Sequence, residues 1–138
     1  MWWFYALLSA FFAALTAIFA KVGVEQVNSN LATAIRTVVV LVMIWLIVFT
    51  RGEAKAISEI SNRTWFFLAI SGVATGLSWI FYFKALQMGE VSKVAGIDKL
   101  SLALTIIFAV IFLGETLTWK SALGAALIIA VTLFLIWK

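Results

Sequence analysis

Five stretches of this chain carry almost no charge, and each is close to the length of a membrane-spanning helix. A helix needs about 20 apolar residues to cross the hydrocarbon core of a bilayer. Arg36 is the one charged residue within the stretches, which run over residues 2–20, 31–50, 64–83, 100–114 and 121–137. We therefore predict a single all-α integral membrane domain over residues 1–138. Its five transmembrane helices are expected over about 2–22, 31–50, 64–87, 92–113 and 120–137.

The composition excludes several kinds of chemistry. The chain has no cysteine and no histidine, so disulfides, thiolate nucleophiles, histidine bases and Cys/His zinc sites are all ruled out. The six carboxylates are scattered along the sequence, and this pattern does not indicate an enzyme active site or a metal centre. We expect no catalytic residue, no metal and no cofactor. The net charge of +4 fits Lys and Arg at membrane surfaces, and it does not suggest a nucleic-acid partner.

The loops on the two sides of the membrane carry nearly equal positive charge. With five crossings, one side holds Arg51, Lys55, Arg63 and Lys120, and the other holds Lys21, Lys93 and Lys138. Two interpretations remain open under the positive-inside rule. Either the longest loop, residues 51–61, fixes the N-terminus in the cytoplasm, or the chain inserts both ways and pairs antiparallel with itself. Charges of alternating sign in that loop allow a short surface helix, and we prefer to interpret it as a solvated connector.

Asp98 and Lys99 are adjacent charges near the start of an apolar stretch. Charges at membrane depth cost at least ~2.5 kcal/mol each, so such residues tend to serve a function or a partner. Neighbouring residues on a helix point about 100° apart, so we expect no ion pair between them. Two possibilities stay open for the backbone: a helix that begins near Ser92, or a bent or unwound segment over residues 93–97 that lines a cavity.

Three further polar or aromatic side chains are candidates for a ligand site. Arg36 lies about five residues into the second predicted helix, where it either snorkels to the interface or serves a function. Trp79 and Tyr82 suit the bundle interior or a ligand cavity equally well. We predict substrate binding or coupling by these residues, by the charged pair and by a nearby hydroxyl: Arg36, Trp79, Tyr82, Asp98, Lys99 and Ser101.

Small residues recur at helical spacing and predict close packing between helices. Lipid tails already solvate leucine, so helices in membranes associate where small side chains let them approach. The first helix has such a face, the third has a small-xxx-small pair, and the fifth has a glycine among alanines. The predicted contact positions are Ser9, Ala13, Thr16, Gly72, Gly76 and Gly124.

The second half of the chain resembles the EamA domain of the drug/metabolite transporter superfamily. The resemblance rests on four collinear blocks of sequence: residues 82–86 (YFKAL), 89–95 (GEVSKVA), 97–101 (IDKLS) and 112–118 (FLGETLT). It extends from about Phe81 to the C-terminus, and the first half fits by hydropathy. Family members often carry a proline near the start of the fourth helix, where this chain has Ala95 and Gly96.

The resemblance implies a fold and a function. Most such transporters are tandems of two five-helix repeats in opposite orientation with a substrate cavity between them, whereas this chain resembles a single repeat. It implies an antiparallel homodimer in a bilayer, most simply the inner membrane of a bacterium or archaeon. We expect a secondary transporter of a small organic metabolite or drug-like molecule, working by alternating access. The alternative is an auxiliary or structural subunit that requires a different partner chain.

Overall fold

The computed structural model describes residues 1–137, and this part of the chain is helical with no β-strand. Helix accounts for 87% of it. A short 3₁₀ helix, Glu53–Glu59, follows the second α-helix. The six α-helices are α1 (Trp2–Val24), α2 (Ser29–Thr50), α3 (Asn62–Met88), α4 (Val91–Asp98), α5 (Leu100–Leu113) and α6 (Trp119–Ile136).

Within residues 1–137, five helical stretches are long and apolar enough to cross a membrane. Four of them are the helices α1, α2, α3 and α6, and the fifth is the combined stretch Val91–Leu113. In lipid, a helix satisfies every backbone N–H and C=O internally, which is why apolar runs of this length take this form. The prediction of an all-α protein with five transmembrane helices is confirmed.

Polar side chains fix where three of the helices begin. Asn28 Oδ1 accepts from the Asn30 N–H at 2.9 Å ahead of α2. Ser61 Oγ and Thr118 Oγ1 each accept from the N–H three residues on, at 3.2 Å, at the starts of α3 and α6. The first N–H groups of a helix have no partner within it, so these side chains stabilise the starts.

The chain forms two compact units, and residues 19–87 make up one of them. Its buried residues gather where α1 ends, α2 begins and α3 ends. They are Ala20, Val24, Ser29, Thr33, Phe83 and Leu86. The two buried hydroxyl residues belong to α2, where Thr33 Oγ1 donates to the Ser29 carbonyl at 2.8 Å.

At the same end of this unit, a side chain of α1 binds a backbone carbonyl of α3, and a side chain of α3 binds carbonyls at the end of α1 and just after it. Lys21 Nζ donates to the Leu86 carbonyl at 2.7 Å. Gln87 Nε2 donates to the carbonyls of Val24 and Val27 at 3.1 and 2.9 Å. The last carbonyls of a helix lack intrahelical donors, so each segment supplies what the other needs. We name this arrangement the Lys21–Gln87 clasp.

The other unit comprises residues 1–18 and the described chain from Met88 onward, in which α4 and α5 both contact α6. Gly96 on α4 faces Leu135 on α6 so closely that a Cβ at Gly96 would overlap the Leu135 Cδ1 methyl. Thr132 is 1% exposed, and its Oγ1 donates to the Gly96 carbonyl at 3.2 Å. Glycine at position 96 therefore lets these two helices approach.

The fourth predicted helix is divided in two at Lys99. Residues 91–98 are α-helical and Lys99 is a turn, with its N–H bonded to the Gly96 carbonyl at 3.2 Å and its own carbonyl bonded to Leu102 N–H at 3.0 Å. Both bonds span three residues, as in a tight 3₁₀ turn. The irregular backbone thus follows residues 93–97 instead of including them.

Two loops also differ from or refine the sequence interpretation. The segment after α2 contains the 3₁₀ helix Glu53–Glu59, which matches the alternative of a short surface helix and not the solvated connector that we preferred. Gly52 precedes it with φ +70°, a conformation that residues with a Cβ rarely adopt. Gly114 ends α5 in the same left-handed region, and the N–H groups of Gly114 and Glu115 both donate to the Ala109 carbonyl.

Candidate functional site

Arg36, Trp79, Tyr82 and Phe83 come together between α2 and α3, and we name these four residues the Arg36 cluster. The Arg36 guanidinium carbon lies 4.1 Å from the centre of the Trp79 ring and 5.5 Å from that of Phe83. Tyr82 is near enough for an electrostatic interaction with Arg36. Phe83 is buried, whereas the other three side chains are half-buried.

The rings compensate only part of the cost of this charge. Placing a cation at membrane depth costs at least ~2.5 kcal/mol on insertion scales. Cation–π contacts return about 0.5–2 kcal/mol, depending on how dry the site is. Within residues 1–137, Arg36 makes no ion pair and donates no hydrogen bond, since both of its contacts are with rings. Water or an anionic group is needed to satisfy it.

The guanidinium stays beside α3 and does not extend past the helix ends. Arg36 is the eighth residue of α2, so its Cα lies about 10 Å along the helix axis from Ser29. Its ring partners Trp79 and Phe83 lie nine and five residues before the end of α3 at Met88. The guanidinium is thus held against aromatic side chains of α3, and a function for Arg36 stays a prediction.

Asp98 and Lys99 form an ion pair, contrary to our expectation. Lys99 Nζ lies 3.6 Å from Asp98 Oδ2, which is ion-pair distance but too long for a hydrogen bond. The expectation was wrong because it considered only the directions in which neighbouring side chains leave a helix. Lys99 keeps helical φ and ψ angles of −68° and −11°, and its long, flexible stem still reaches the neighbouring carboxylate. The Asp98 side chain is 39% exposed and the Lys99 side chain 62%, so both remain accessible to other molecules.

Lys99 also lines an open cavity beside α6. The cavity has a volume of about 300 Å³, and its other walls are almost wholly apolar: Gly96, Leu127, Ile128, Val131 and Thr132. Ser101 is exposed in the first turn of α5, and its carbonyl accepts from Thr105 Oγ1. Asp98, Lys99 and Ser101 belong to the unit that contains α4 to α6, whereas the Arg36 cluster belongs to the other.

A second open cavity, of about 370 Å³, is lined by apolar residues of α5, α6 and the loop before α6. It contains no charged or polar side chain. Among residues 1–137, no three carboxylates come together in a way that would hold a metal ion.

The small residues predicted to pack helices are exposed or half-buried in the described chain. Ser9, Ala13 and Gly72 are exposed, whereas Thr16, Gly76 and Gly124 are half-buried. A Cβ added at Gly72, Gly76 or Gly124 would meet no other atom of the described chain within 4 Å. Their role as contact positions stays a prediction, and the surface that they would contact is not supplied by residues 1–137.

Phe83 belongs to the Arg36 cluster, and our sequence interpretation missed it. Trp79 and Phe83 are four residues apart, and residues at this spacing share one face of a helix. The spacing was therefore available as a signal. We selected Tyr82 instead because it combines an aromatic body with a polar tip.

Comparison with known proteins agrees with this architecture. The model of the EamA-like transporter family matches residues 1–137, which includes the first half of the chain. A protein of a Sinorhizobium species, described as an uncharacterized transporter in the cobO 3′ region, is 57% identical over 134 residues. The match covers 97% of this chain and 95% of that protein. No solved structure matches. We conclude that the chain belongs to the EamA-like transporter family and is a multi-pass membrane transporter.

Proposed function

We propose that this protein is a secondary transporter of a small organic metabolite or drug-like molecule in a bacterial cell membrane. It works by alternating access, and two copies in opposite orientation enclose the substrate between them. Inverted repeats give many transporters the same arrangement within one chain. Trp79 and Tyr82 contribute apolar contact surface, while Arg36, Asp98, Lys99 and Ser101 supply charge and a hydroxyl for substrate or proton.

The Arg36 cluster is the observation that carries this proposal. A cation held within a span, beside three aromatic side chains and without an acidic partner in residues 1–137, is costly for the folded protein alone. The same group is useful in a cavity that receives an organic molecule. Ligand sites typically combine apolar and aromatic surface with a few placed polar groups.

Three observations favour the pair of antiparallel copies. In the most apolar window of each of the five spans, only 6% to 11% of the residues are buried within residues 1–137, so most positions keep surface for lipid or another chain. The loop charges are almost balanced between the two sides, as insertion in both orientations requires. The Sinorhizobium relative is also about as long as this chain, so it too has the length of one five-span unit.

Reconstituted transport tests the proposal. The chain is purified alone, placed in liposomes and assayed for uptake of radiolabelled metabolites that raise its thermal stability, since a ligand of the native state stabilises it. We expect saturable uptake by this single polypeptide. The variants Asp98→Asn and Lys99→Gln should lower the flux at least about tenfold, since each would lose a charged hydrogen bond to substrate worth about 1.5–3 kcal/mol.

The matched control is Lys93→Gln. Lys93 forms an ion pair with Glu90 at 3.3 Å at the start of α4, and both side chains are exposed. We expect its flux to equal that of the unmodified protein. Transport that appears only after a second, different polypeptide is added would contradict the proposal and support the auxiliary subunit. Unchanged flux in both charged-pair variants would show that the pair has a structural role alone.

A further inference from the structure

The contacts of Arg36 leave its hydrogen-bonding edge free. An arginine side chain has five N–H donors, all in the plane of the guanidinium group. The rings of Trp79 and Phe83 interact with its charge, but they accept no strong hydrogen bond. Within residues 1–137 no carboxylate lies within ion-pair distance of this group.

Three other basic side chains are each paired with a nearby carboxylate. Arg51, Lys93 and Lys99 each have a carboxylate within 4.0 Å, on Glu53, Glu90 and Asp98 respectively. These pairs are all close in sequence and lie at helix ends or turns. Arg36 differs because it lies within a span and its contacts are aromatic.

We propose that Arg36 is an oxyanion-binding site, and that its N–H edge binds the carboxylate or phosphate group of a small organic anion. This inference rests on the proposed function and names the substrate class for it. A planar guanidinium forms two parallel hydrogen bonds with such a group, which gives geometric specificity as well as attraction. The half-buried Trp79 and Tyr82 lie next to the guanidinium and offer surface for an apolar or aromatic body.

The oxyanion that Arg36 would bind can come from two sources in a membrane. One is a water-soluble organic anion, and the other is the phosphate of an anionic lipid headgroup, which an arginine about 10 Å from a helix start can reach. Both present oxygen atoms to the guanidinium edge. The experiment separates them by the composition of the vesicles.

Binding is measured on the full chain in vesicles of phosphatidylcholine, which has no net charge. The probes are benzoate and benzyl alcohol, which share a ring and differ in the carboxylate, and the readout is quenching of tryptophan fluorescence. We expect benzoate to bind more tightly than benzyl alcohol, and Arg36→Gln to weaken benzoate binding at least about tenfold while leaving benzyl alcohol unchanged. Arg36→Lys should weaken it less, because it keeps the charge but loses the planar fork.

Arg63→Gln is the matched control. Arg63 also lies over an aromatic ring, with its guanidinium carbon 5.9 Å from the centre of Phe67, but it is the second residue of α3. We expect benzoate binding to persist in this variant. Retained helical content by circular dichroism shows that the substitutions have not unfolded the chain. Trp79→Phe, which keeps Arg36 and an aromatic ring, gives a second test with an expected smaller loss of affinity.

The lipid source is tested with vesicles that also contain phosphatidylglycerol. Retention of this lipid in native mass spectra by the unmodified protein, and its loss in Arg36→Gln, would assign the oxyanion to the headgroup. If Arg36→Gln changes neither benzoate binding nor lipid retention, the site is overturned. Should that variant still transport a neutral molecule in the flux assay, the transporter proposal would stand without the anion site.

Discussion

Gly96 shows how one residue controls the approach of two helices. Its missing side chain makes room for the Leu135 Cδ1 methyl, and its carbonyl accepts the hydroxyl of Thr132. Thr132 Oγ1 also donates to the Ile128 carbonyl in its own helix, at 2.8 Å. The hydroxyl is therefore satisfied within α6 and shared with α4, which sets the register between the two helices.

Substitution of Gly96 should destabilise the protein in proportion to the size of the new side chain. Gly96→Ala is expected to have a small effect, because the end of the flexible Leu135 side chain rotates away. Gly96→Leu should cost about 1–3 kcal/mol, as overpacking of a contact does. Thermal unfolding in detergent measures both.

Gly23 provides the control for this series. A Cβ at Gly23 meets nothing within 4 Å in residues 1–137, so Gly23→Leu should change stability by less than about 0.5 kcal/mol. Equal losses at positions 23 and 96 would show that glycine itself, and not the contact with Leu135, determines stability.

Residue type and depth identified Arg36, Trp79 and Tyr82 from the sequence, and the structure brings these three together. Phe83 was missed because the choice among α3 side chains depends on which face turns toward α2. The apolar residues of α3 are spread over all of its faces, so the hydropathy pattern does not indicate which face of α3 turns toward α2. The Asp98–Lys99 ion pair was not expected from helix geometry, and the reach of the flexible lysine stem was enough to invalidate that argument.

At the scale of whole helices, the Lys21–Gln87 clasp joins the ends of α1 and α3. Its acceptors lie in or just beyond the last turns, where carbonyls otherwise depend on water or on polar caps. Leu86 is fully buried and Val24 is 1% exposed, so water has little access to these groups. The clasp thus satisfies polar atoms beside the apolar core of that unit.

Gln87→Glu should destabilise this helix end. The substitution preserves the shape but replaces the amide donor by a carboxylate oxygen, which faces the carbonyls of Val24 and Val27. Two lost hydrogen bonds and the repulsion between acceptors should lower the free energy of unfolding by about 1–3 kcal/mol. Unfolding in a denaturing detergent series gives the measurement.

The corresponding control is Gln26→Glu, which makes the same chemical change at an exposed position in the turn after α1. We expect its stability to match that of the unmodified protein. If both variants lose the same stability, added negative charge is responsible and the clasp is not.

The five spans were predictable because backbone in lipid must hydrogen-bond within its own segment, which leaves helices as the solution for long apolar runs. The division at Lys99 was not predictable in this way. It accompanies the contacts of Gly96 with Thr132 and Leu135, which are more than 30 residues away in sequence. A pattern confined to one segment does not contain such a contact.

For the whole molecule, the sparse burial of the spans is the feature that matters most. Lipid tails solvate apolar side chains about as well as a protein face does, so hydropathy predicts which segments enter the membrane but not which faces meet a second chain. Gly72, Gly76 and Gly124, at which an added Cβ would find open space, leave room for close approach by another helix. We propose that a second, antiparallel copy of the chain occupies the space beside these glycines.

Dual orientation predicts that each loop is found on both sides of the membrane. The chain has no cysteine, so Ser58→Cys introduces a unique thiol in the exposed 3₁₀ helix, and Ser92→Cys introduces one near the start of α4. An impermeant maleimide applied to sealed cells should label about half of the molecules in each variant, given nearly balanced loop charges. Labelling of one variant and protection of the other would establish a single orientation and exclude the antiparallel pair.

The Lys21–Gln87 clasp also bears on how this transporter can change in evolution. The acceptors that Lys21 and Gln87 bind on Leu86, Val24 and Val27 are backbone carbonyls, which every amino acid has whatever its side chain. Mutation therefore acts on the clasp through two donor positions, 21 and 87. A substitution at either position changes the hydrogen bonds that its side chain donates and leaves the carbonyl acceptors in place. Related chains can therefore strengthen or weaken the contact between these two helix ends with one substitution.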